Sequence, residues 1–200
     1  GGLMARSMGI PYAINITGLG TAFQTDNFIR KLVCFLYKRA AKNARVVFFE
    51  NPGNRDLFLQ LRLIQPQQAC ILNGAGVNLD EYAFAPYPQD HKHIRFLFIG
   101  RVMKEKGIDE LLAAAKKIKS ENQQIIFDIV GPMEDDYRKT IDDAVNSGII
   151  QYYGFQSDVR AFIRQCHCFV LPSYHEGMAN TLLESAAMGR PLITSDIHGC

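Results

Sequence analysis

The sequence predicts an α/β fold built on a doubly wound parallel sheet, preceded by part of a second unit of the same kind. Three observations predict it. Short apolar runs alternate with helical segments almost throughout, the order that yields parallel strands covered by helices on both faces. The alternation breaks at residues 82–93, where Tyr-Ala-Phe-Ala-Pro-Tyr-Pro leads into Gln-Asp-His-Lys-His, and then restarts more regularly. A length of 200 residues suits one domain, or one and part of another. The expected division is 1–80, a linker at 81–93, and 94–200.

In chain order, Tyr12 to Thr17 reads as a buried strand, followed by the glycine turn Gly18-Leu19-Gly20. A helix is expected from Asp26 or Asn27 to Lys42, since Phe28, Leu32, Phe35 and Leu36 keep helical spacing. Val46 to Phe49 is a short strand, and Pro52 occupies a favoured first helical position. Ala69 to Leu72 is a strand ending in Asn73-Gly74-Ala75-Gly76. Beyond the linker the expected strands are 94–99, 125–130, 149–153, 168–171 and 191–195. The expected helices are 108–119, 136–147, 158–165 and 180–188, with Asp158 as an N-cap.

Composition excludes several classes. Hydrophobic residues at 48% and charged residues at 21% describe an ordinary globular chain. A net charge of +2 does not argue for nucleic acid as a partner. Five cysteines without a repeating framework fit reduced thiols in the cytoplasm. No apolar run approaches the roughly 18 residues that span a bilayer, and no signal peptide is visible. The start at Gly1 and the stop after the strand ending in Asp196 read as those of a fragment, expected to be inactive alone.

Two loops carry the chemistry. Gly100-Arg101-Val102-Met103-Lys104-Glu105-Lys106-Gly107 follows the first strand after the linker, where open α/β sheets bind ligands. Arg101 and Lys106 would hold an anion there, and a solvated basic loop is the competing reading. Near the end, Glu176 and Glu184 flank Gly177-Met178-Ala179-Asn180-Thr181, a loop that enters an apolar helix. A helix N-terminus suits anions, whereas the carboxylates suit neutral hydroxyls; a ligand with both is a nucleotide sugar. The competing reading makes Glu176 a helix-end charge and Glu184 an exposed one. Glu184, however, lies among small and apolar residues and would need a partner. Gly18-Leu19-Gly20 lacks the third glycine of a dinucleotide fingerprint and reads as a turn. Cys166-His167-Cys168 has no second pair at metal-binding spacing and reads as structural. His175 is left open between a polar loop residue and a ligand contact.

Taken in order, Gly100-Arg101 with Lys106-Gly107, Val130-Gly131, Tyr153-Gly154 and the Glu176-x7-Glu184 stretch resemble the donor domain of retaining family 4 glycosyltransferases, of the Rossmann-like GT-B fold. Asn73 to Asn78 resembles the family's interdomain turn, and residues 1 to about 70 the second half of an acceptor domain. The Thr17 to Phe23 turn is similar to bacterial members that build capsule, O-antigen or lipid-linked glycans.

The resemblance implies a catalytic set of Arg101, Lys106 and Glu176, the two cations on the diphosphate and the carboxylate facing the donor sugar. It implies donor contacts from Gly100, Gly131, Gly154, Phe155, Gly177, Met178, Ala179, Asn180, Thr181 and Glu184, with Glu184 on ribose. It further implies a UDP-sugar donor, a glycan or lipid-linked acceptor, and no metal or other cofactor. The implied location is the cytoplasm, at the inner face of the membrane, with peripheral association of the full-length protein. Two departures stand out: Thr17-Gly18 where many relatives have histidine, and Ala179 where many have proline before the asparagine. The alternatives are a UDP-sugar isomerase on the same fold, a non-catalytic nucleotide-sugar module and, more distantly, a nicotinamide oxidoreductase.

Overall fold

Two parallel sheets organise the chain in the computed structural model, which describes residues 1–19, 23, 28–90 and 92–200. Gly20 to Ala22 of the glycine turn, and the expected helix start at Asp26 or Asn27, lie outside the described residues. The chain divides into two units, residues 1–75 with 176–178 and 199, and residues 76–175 with 179–198 and 200.

In the first unit, α1 (Gly2–Ser7), β1 (Ala13–Ile16), α2 (Phe28–Ala41), β2 (Val46–Phe49), α3 (Pro52–Gln60) and β3 (Ala69–Ile71) follow in order. The three strands pair in parallel as β1-β2-β3, with Ala13 opposite Val46 and Val47 opposite Ala69. The central strand is buried on alternate residues: Val47 and Phe49 have no exposed surface. Phe49 meets Phe58 edge to face at 5.2 Å, and Tyr37 packs on Phe58 at the same distance, fastening α2 and α3 to the sheet. Pro52 opens α3, as its missing N–H predicts, and buried Asn51 caps it by accepting a 2.8 Å hydrogen bond from the Asn54 N–H. α1 is an element that no periodicity announced, being only six residues long.

The second unit contains β4 (Ile94–Ile99), α4 (Ile108–Glu121), β5 (Ile125–Val130), α5 (Arg138–Asn146), β6 (Gln151–Tyr152), α6 (Arg160–Gln165), β7 (Cys168–Leu171), α7 (Asn180–Ala187) and β8 (Leu192–Thr194). All pairings are parallel and the order is β6-β5-β4-β7-β8. The doubly wound parallel architecture is therefore as the alternation predicts. Leu97, Phe98, Ile129, Ile163, Phe169 and Met188 are among the fully buried core residues, and Phe96 stacks on Phe127 at 5.2 Å. A charged pair crosses this sheet. Asp128, almost fully buried, accepts a 2.8 Å hydrogen bond from Arg95, and burial pushes its pKa up while Arg95 pulls it back.

The residue-level differences have local causes. β6 is shorter than expected because the Ile149 N–H is spent on Ala144 at the end of α5, at 2.9 Å. α6 begins at Arg160, not Asp158, and its N-cap is Val159. Asp158 instead sits one residue earlier, accepting from the Arg160 backbone at 3.0 Å and its guanidinium at 2.8 Å, which holds the carboxyl at about 2. Helix α5 is preceded by a 3-10 turn at Asp135–Tyr137.

Among the described residues, 82–90 and 92–93 form no helix or strand, and the first of these stretches lies clasped within the second unit. Buried Arg190 donates to the carbonyls of Ala85 at 2.5 Å and Pro86 at 2.8 Å. The Tyr87 hydroxyl donates to the His167 carbonyl at 3.0 Å, and the two rings meet edge to face. His167, nearly buried, accepts the Arg95 N–H at Nδ1 and lies 3.1 Å from the Asp90 carbonyl at Nε2. This occupies both ring nitrogens with backbone. Burial pushes the neighbouring Cys166 thiol up to about 12, so the Cys-His-Cys run serves packing. Among the described residues no helix is long and apolar enough to cross a membrane, and no cluster of His, Cys, Asp or Glu is arranged around a metal position.

Candidate functional site

The strand order fixes where a ligand can enter the second unit. From β4 the chain moves outward through β5 to β6, whereas β7 returns to the other side of β4 and continues to β8. Loops leaving β4 and β7 consequently diverge at their carboxyl ends, which is where open α/β sheets hold ligands. The β4–α4 loop carries Arg101 and Lys106; the β7–α7 loop leads to Ala179, Asn180 and Thr181.

These loops brace each other. Gly107 caps α4 with φ +70°, and a Cβ there would stand 2.1 Å from the Pro172 carbonyl oxygen. The Tyr174 N–H donates to the Glu105 carbonyl at 2.9 Å, and the Tyr174 hydroxyl donates to the Glu110 carboxylate. Lys106 ends a 3-10 turn, Lys104–Lys106, and is partly buried. Arg101 is exposed, with its guanidinium 3.8 Å from the Glu134 carboxylate, a long contact that solvent screens. An anionic ligand could displace such a contact at little cost.

Beside this loop the ends of three neighbouring strands meet through glycine. The Gly100 N–H donates to the Val130 carbonyl at 2.9 Å, and the Gly131 N–H to the Gly154 carbonyl at 2.8 Å. Gly131 has φ +141°, and a Cβ on it would fall 2.0 Å from the Gly100 carbonyl oxygen, so only glycine fits. Tyr152 supports the row from beneath by donating to the Gly131 carbonyl at 2.8 Å. Gly154 turns the chain with φ +65° and presents Phe155, 72% exposed. The result is a ledge bare of side chains with an exposed aromatic ring next to it in sequence.

Glu184 lies on α7 and is half-buried. The Tyr82 hydroxyl lies beside its carboxylate and favours the charged form, so its neighbour in the protein is a tyrosine. Burial pushes the Glu184 pKa above the ordinary value and the Tyr82 hydroxyl pulls it partly back. Tyr82 is the functional candidate that sequence reasoning missed. It falls in the stretch read as linker, and neither periodicity nor motif spacing marks it. α7 itself starts at Asn180 after Ala179, whose side chain cannot cap it.

Gly100, Arg101, Lys106, Gly131, Gly154, Phe155, Ala179, Asn180, Thr181 and Glu184 all belong to the second unit, as does His175. Glu176, Gly177 and Met178 group with the first unit. There Asn51 donates to the Gly177 carbonyl at 2.7 Å, and a Cβ on Gly177 would overlap the Thr17 carbonyl oxygen at 1.4 Å. Met178 packs over Gly74.

Known proteins are similar to this chain in sequence and in fold. Residues 81–200 match the family described as Glycosyl transferases group 1. Over 99% of its length the chain is 30% identical to the N,N'-diacetylbacillosaminyl-diphospho-undecaprenol alpha-1,3-N-acetylgalactosaminyltransferase of Campylobacter jejuni, covering 56% of that protein. Over its whole length it is 28% identical to the UDP-Gal:alpha-D-GlcNAc-diphosphoundecaprenol alpha-1,3-galactosyltransferase of Escherichia coli, covering 55% of it. The chain therefore spans little more than half of these relatives. Its fold matches Anabaena Alr3699/HepE, solved in complex with UDP-glucose, at a TM-score of 0.80 and 16% identity, over 99% of this chain and 57% of that one. It matches WaaG, a glycosyltransferase involved in lipopolysaccharide biosynthesis, at 0.73 and 18% identity, over 94% and 57%.

Proposed function

Because this chain belongs to the Glycosyl transferases group 1 family, we propose that it supplies the donor-binding part of an enzyme that moves a sugar from a UDP-sugar to a glycan or lipid-linked acceptor during bacterial surface-polysaccharide synthesis. The transfer proceeds with retention of configuration and without a metal ion. The observation that carries the reading is the exposed Arg101 and the partly buried Lys106 on the loop at the β4/β7 divergence, beside the bare ledge of Gly100, Gly131 and Gly154.

In this reading each part has one task. Arg101 and Lys106 take the diphosphate and stabilise the negative charge that grows on the leaving group as the glycosidic bond breaks. They stand in for the Lewis acid that other phosphate chemistry uses. The ledge lets the base approach the backbone closely, and Phe155 offers it an aromatic face. Glu184, aimed by Tyr82, accepts hydrogen bonds from the ribose hydroxyls. Thr181 and the first N–H groups of α7 add to the diphosphate contacts. Glu176, with the backbone of Gly177 to Asn180, faces the transferred sugar. The carboxylates bind and orient; neither needs to act as an acid or base toward the other.

Support for the donor comes from the names of relatives: the Escherichia coli protein is named for UDP-Gal, and the Anabaena structure holds UDP-glucose. Calorimetric titration of the chain with UDP tests the reading. Saturable heat is expected, with affinity about tenfold to a hundredfold weaker in Arg101→Ala. No heat with UDP, GDP or ADP would refute it.

A further inference from the structure

We propose that Tyr137 and Tyr174 are positioning residues for the β4–α4 loop, each fixing one side of the segment that carries Arg101 and Lys106, an inference that rests on the proposed donor role of that loop. Charge in this segment is mixed in a way that anion binding does not ask for. Glu105, Asp109 and Glu110 stand close in sequence to Lys104 and Lys106. Asp109 and Glu110 occupy the first turn of α4, where carboxylates complement the helix dipole. The dipole accounts for their presence but not for their partners.

Each of these two carboxylates holds a tyrosine, and the tyrosines come from opposite sides. The Tyr137 hydroxyl donates to Asp109 at 3.1 Å from the 3-10 turn that precedes α5. The Tyr174 hydroxyl donates to Glu110 from the loop that follows β7. Strands β5 and β7 are the two neighbours of β4, so the start of α4 is tied to both flanking strand ends. Both phenols keep their protons and act as donors. Burial and the Asp109 carboxylate push Tyr137 up to about 12, and the bond to Glu110 pushes Tyr174 above its ordinary value.

Backbone bonds carry each tie to the cation beside it. On the β5 side, the Val102 N–H donates to the Pro132 carbonyl at 2.8 Å and the Glu134 N–H to the Val102 carbonyl at 3.2 Å, a parallel bridge next to Arg101. The Tyr137 N–H donates to the Glu134 carbonyl at 3.0 Å, which joins the turn bearing the phenol to that bridge. On the β7 side, the Tyr174 N–H donates at 2.9 Å to the carbonyl of Glu105, the residue before Lys106. Gly107, the residue after Lys106, fits against the Pro172 carbonyl only because it lacks a Cβ. Lys106 is thus flanked on both sides by contacts with the β7–α7 loop, and Arg101 adjoins a contact with the β5–α5 turn.

A cation on a loop binds an anion better the less freedom it must lose in doing so. Arg101 is exposed, and its 3.8 Å contact with Glu134 is too long to fix it, so its placement comes from the backbone beneath. The two phenols are what hold that backbone from either side. Removing one hydroxyl leaves the ring and the backbone bonds in place and takes away the tie alone. Tyr174 is 49% exposed, so this change leaves the core packing as it is.

Titration of the chain with UDP tests this in Tyr137→Phe and Tyr174→Phe, each alone and combined with Arg101→Ala or Lys106→Ala respectively. Each Phe variant should bind UDP about threefold to tenfold more weakly, the range for one hydrogen bond, with its melting temperature little changed. Once the cation is gone the tie has nothing to place, so the same change should then add less than about twofold. Glu110→Gln, whose amide oxygen still accepts from Tyr174, should retain more of the affinity than Glu110→Ala. Amide exchange at 102–107 should speed up in both Phe variants. Parent affinity or unchanged exchange in these variants would overturn the proposal and leave the donor reading standing. Equal weakening with and without the cation would also overturn it, since the tyrosines would then act on the fold at large. A parent chain that binds no nucleoside diphosphate would remove both.

Discussion

Gly131→Ala tests whether the glycine row holds the three strand ends as closely as the geometry states. The added Cβ would stand 2.0 Å from the Gly100 carbonyl oxygen, where ordinary contact begins at 3.4 Å, so the ends of β4 and β5 must part by about 1.4 Å. Both groups are backbone and cannot swing aside as a side chain would. The separation stretches the Gly100–Val130 and Gly131–Gly154 hydrogen bonds, of 2.9 and 2.8 Å, each contributing about 0.5–1.5 kcal/mol. A non-glycine residue at φ +141° costs a further 1–3 kcal/mol or so. The total is about 2–6 kcal/mol.

Gly148→Ala is the matched control, because Gly148 has φ +69° but nothing within 4 Å of a Cβ; it should cost only about 1–2 kcal/mol. Urea unfolding followed by tyrosine fluorescence reads the difference, since Tyr82, Tyr87, Tyr137, Tyr152, Tyr153 and Tyr174 all lie in the second unit. At about 2 kcal/mol per molar urea, the midpoint should fall by about 1–3 M for Gly131→Ala and by about 0.5–1 M for Gly148→Ala. Equal shifts would show that the contact with Gly100 is not as drawn, and the ledge would lose its basis.

The remaining predictions concern the ligand loops and the clasp. Arg101→Ala and Lys106→Ala should each weaken UDP binding about tenfold to a hundredfold, the range for a charge-assisted hydrogen bond, with the melting temperature almost unchanged for exposed Arg101. Glu184→Gln should weaken UDP binding while stabilising the free chain. A carboxyl with a raised pKa makes its contribution below the ordinary value of 4.5 and loses it as pH rises through the folded value. The variant should therefore melt above the parent at pH 7 and approach it near pH 4; the opposite trend would contradict the assigned burial. Arg190→Ala leaves the Ala85 and Pro86 carbonyls without donors and should cost roughly 3 kcal/mol. Hydrogen exchange at residues 84–90 should speed up, and unchanged protection there would remove the clasp.

Much of this architecture was legible because apolar runs in a parallel sheet are buried on both faces and stand out from the helices between them. Val46 to Phe49, Ile94 to Ile99 and Ile125 to Val130 fall where they read. The ends of elements were less legible. Asp158 has the chemistry of a cap, but its pairing with Arg160 moves the helix start by two residues. The two candidate loops were visible as glycine and charge at strand ends. Which strand lies beside which is set by crossovers, and local pattern does not encode it. For the same reason Tyr82 escaped notice. Its partner Glu184 is about a hundred positions away and is met only through the fold.

The clasp on residues 85–90 has a consequence in time. Arg190 reaches back 105 positions to Ala85 and 104 to Pro86, and Tyr87 meets His167 across 80. Such contacts close the longest loops of the second unit and cost the most chain entropy, so they form after the neighbouring strands have paired. During synthesis the early segment must wait, extended and open to proteases, until the last strand pair is nearly complete. A released chain truncated before residue 190 should be cut between 84 and 90, and one that runs past residue 195 should resist. The proline-rich stretch would then act as a seal, its protection reporting that the unit around it is finished.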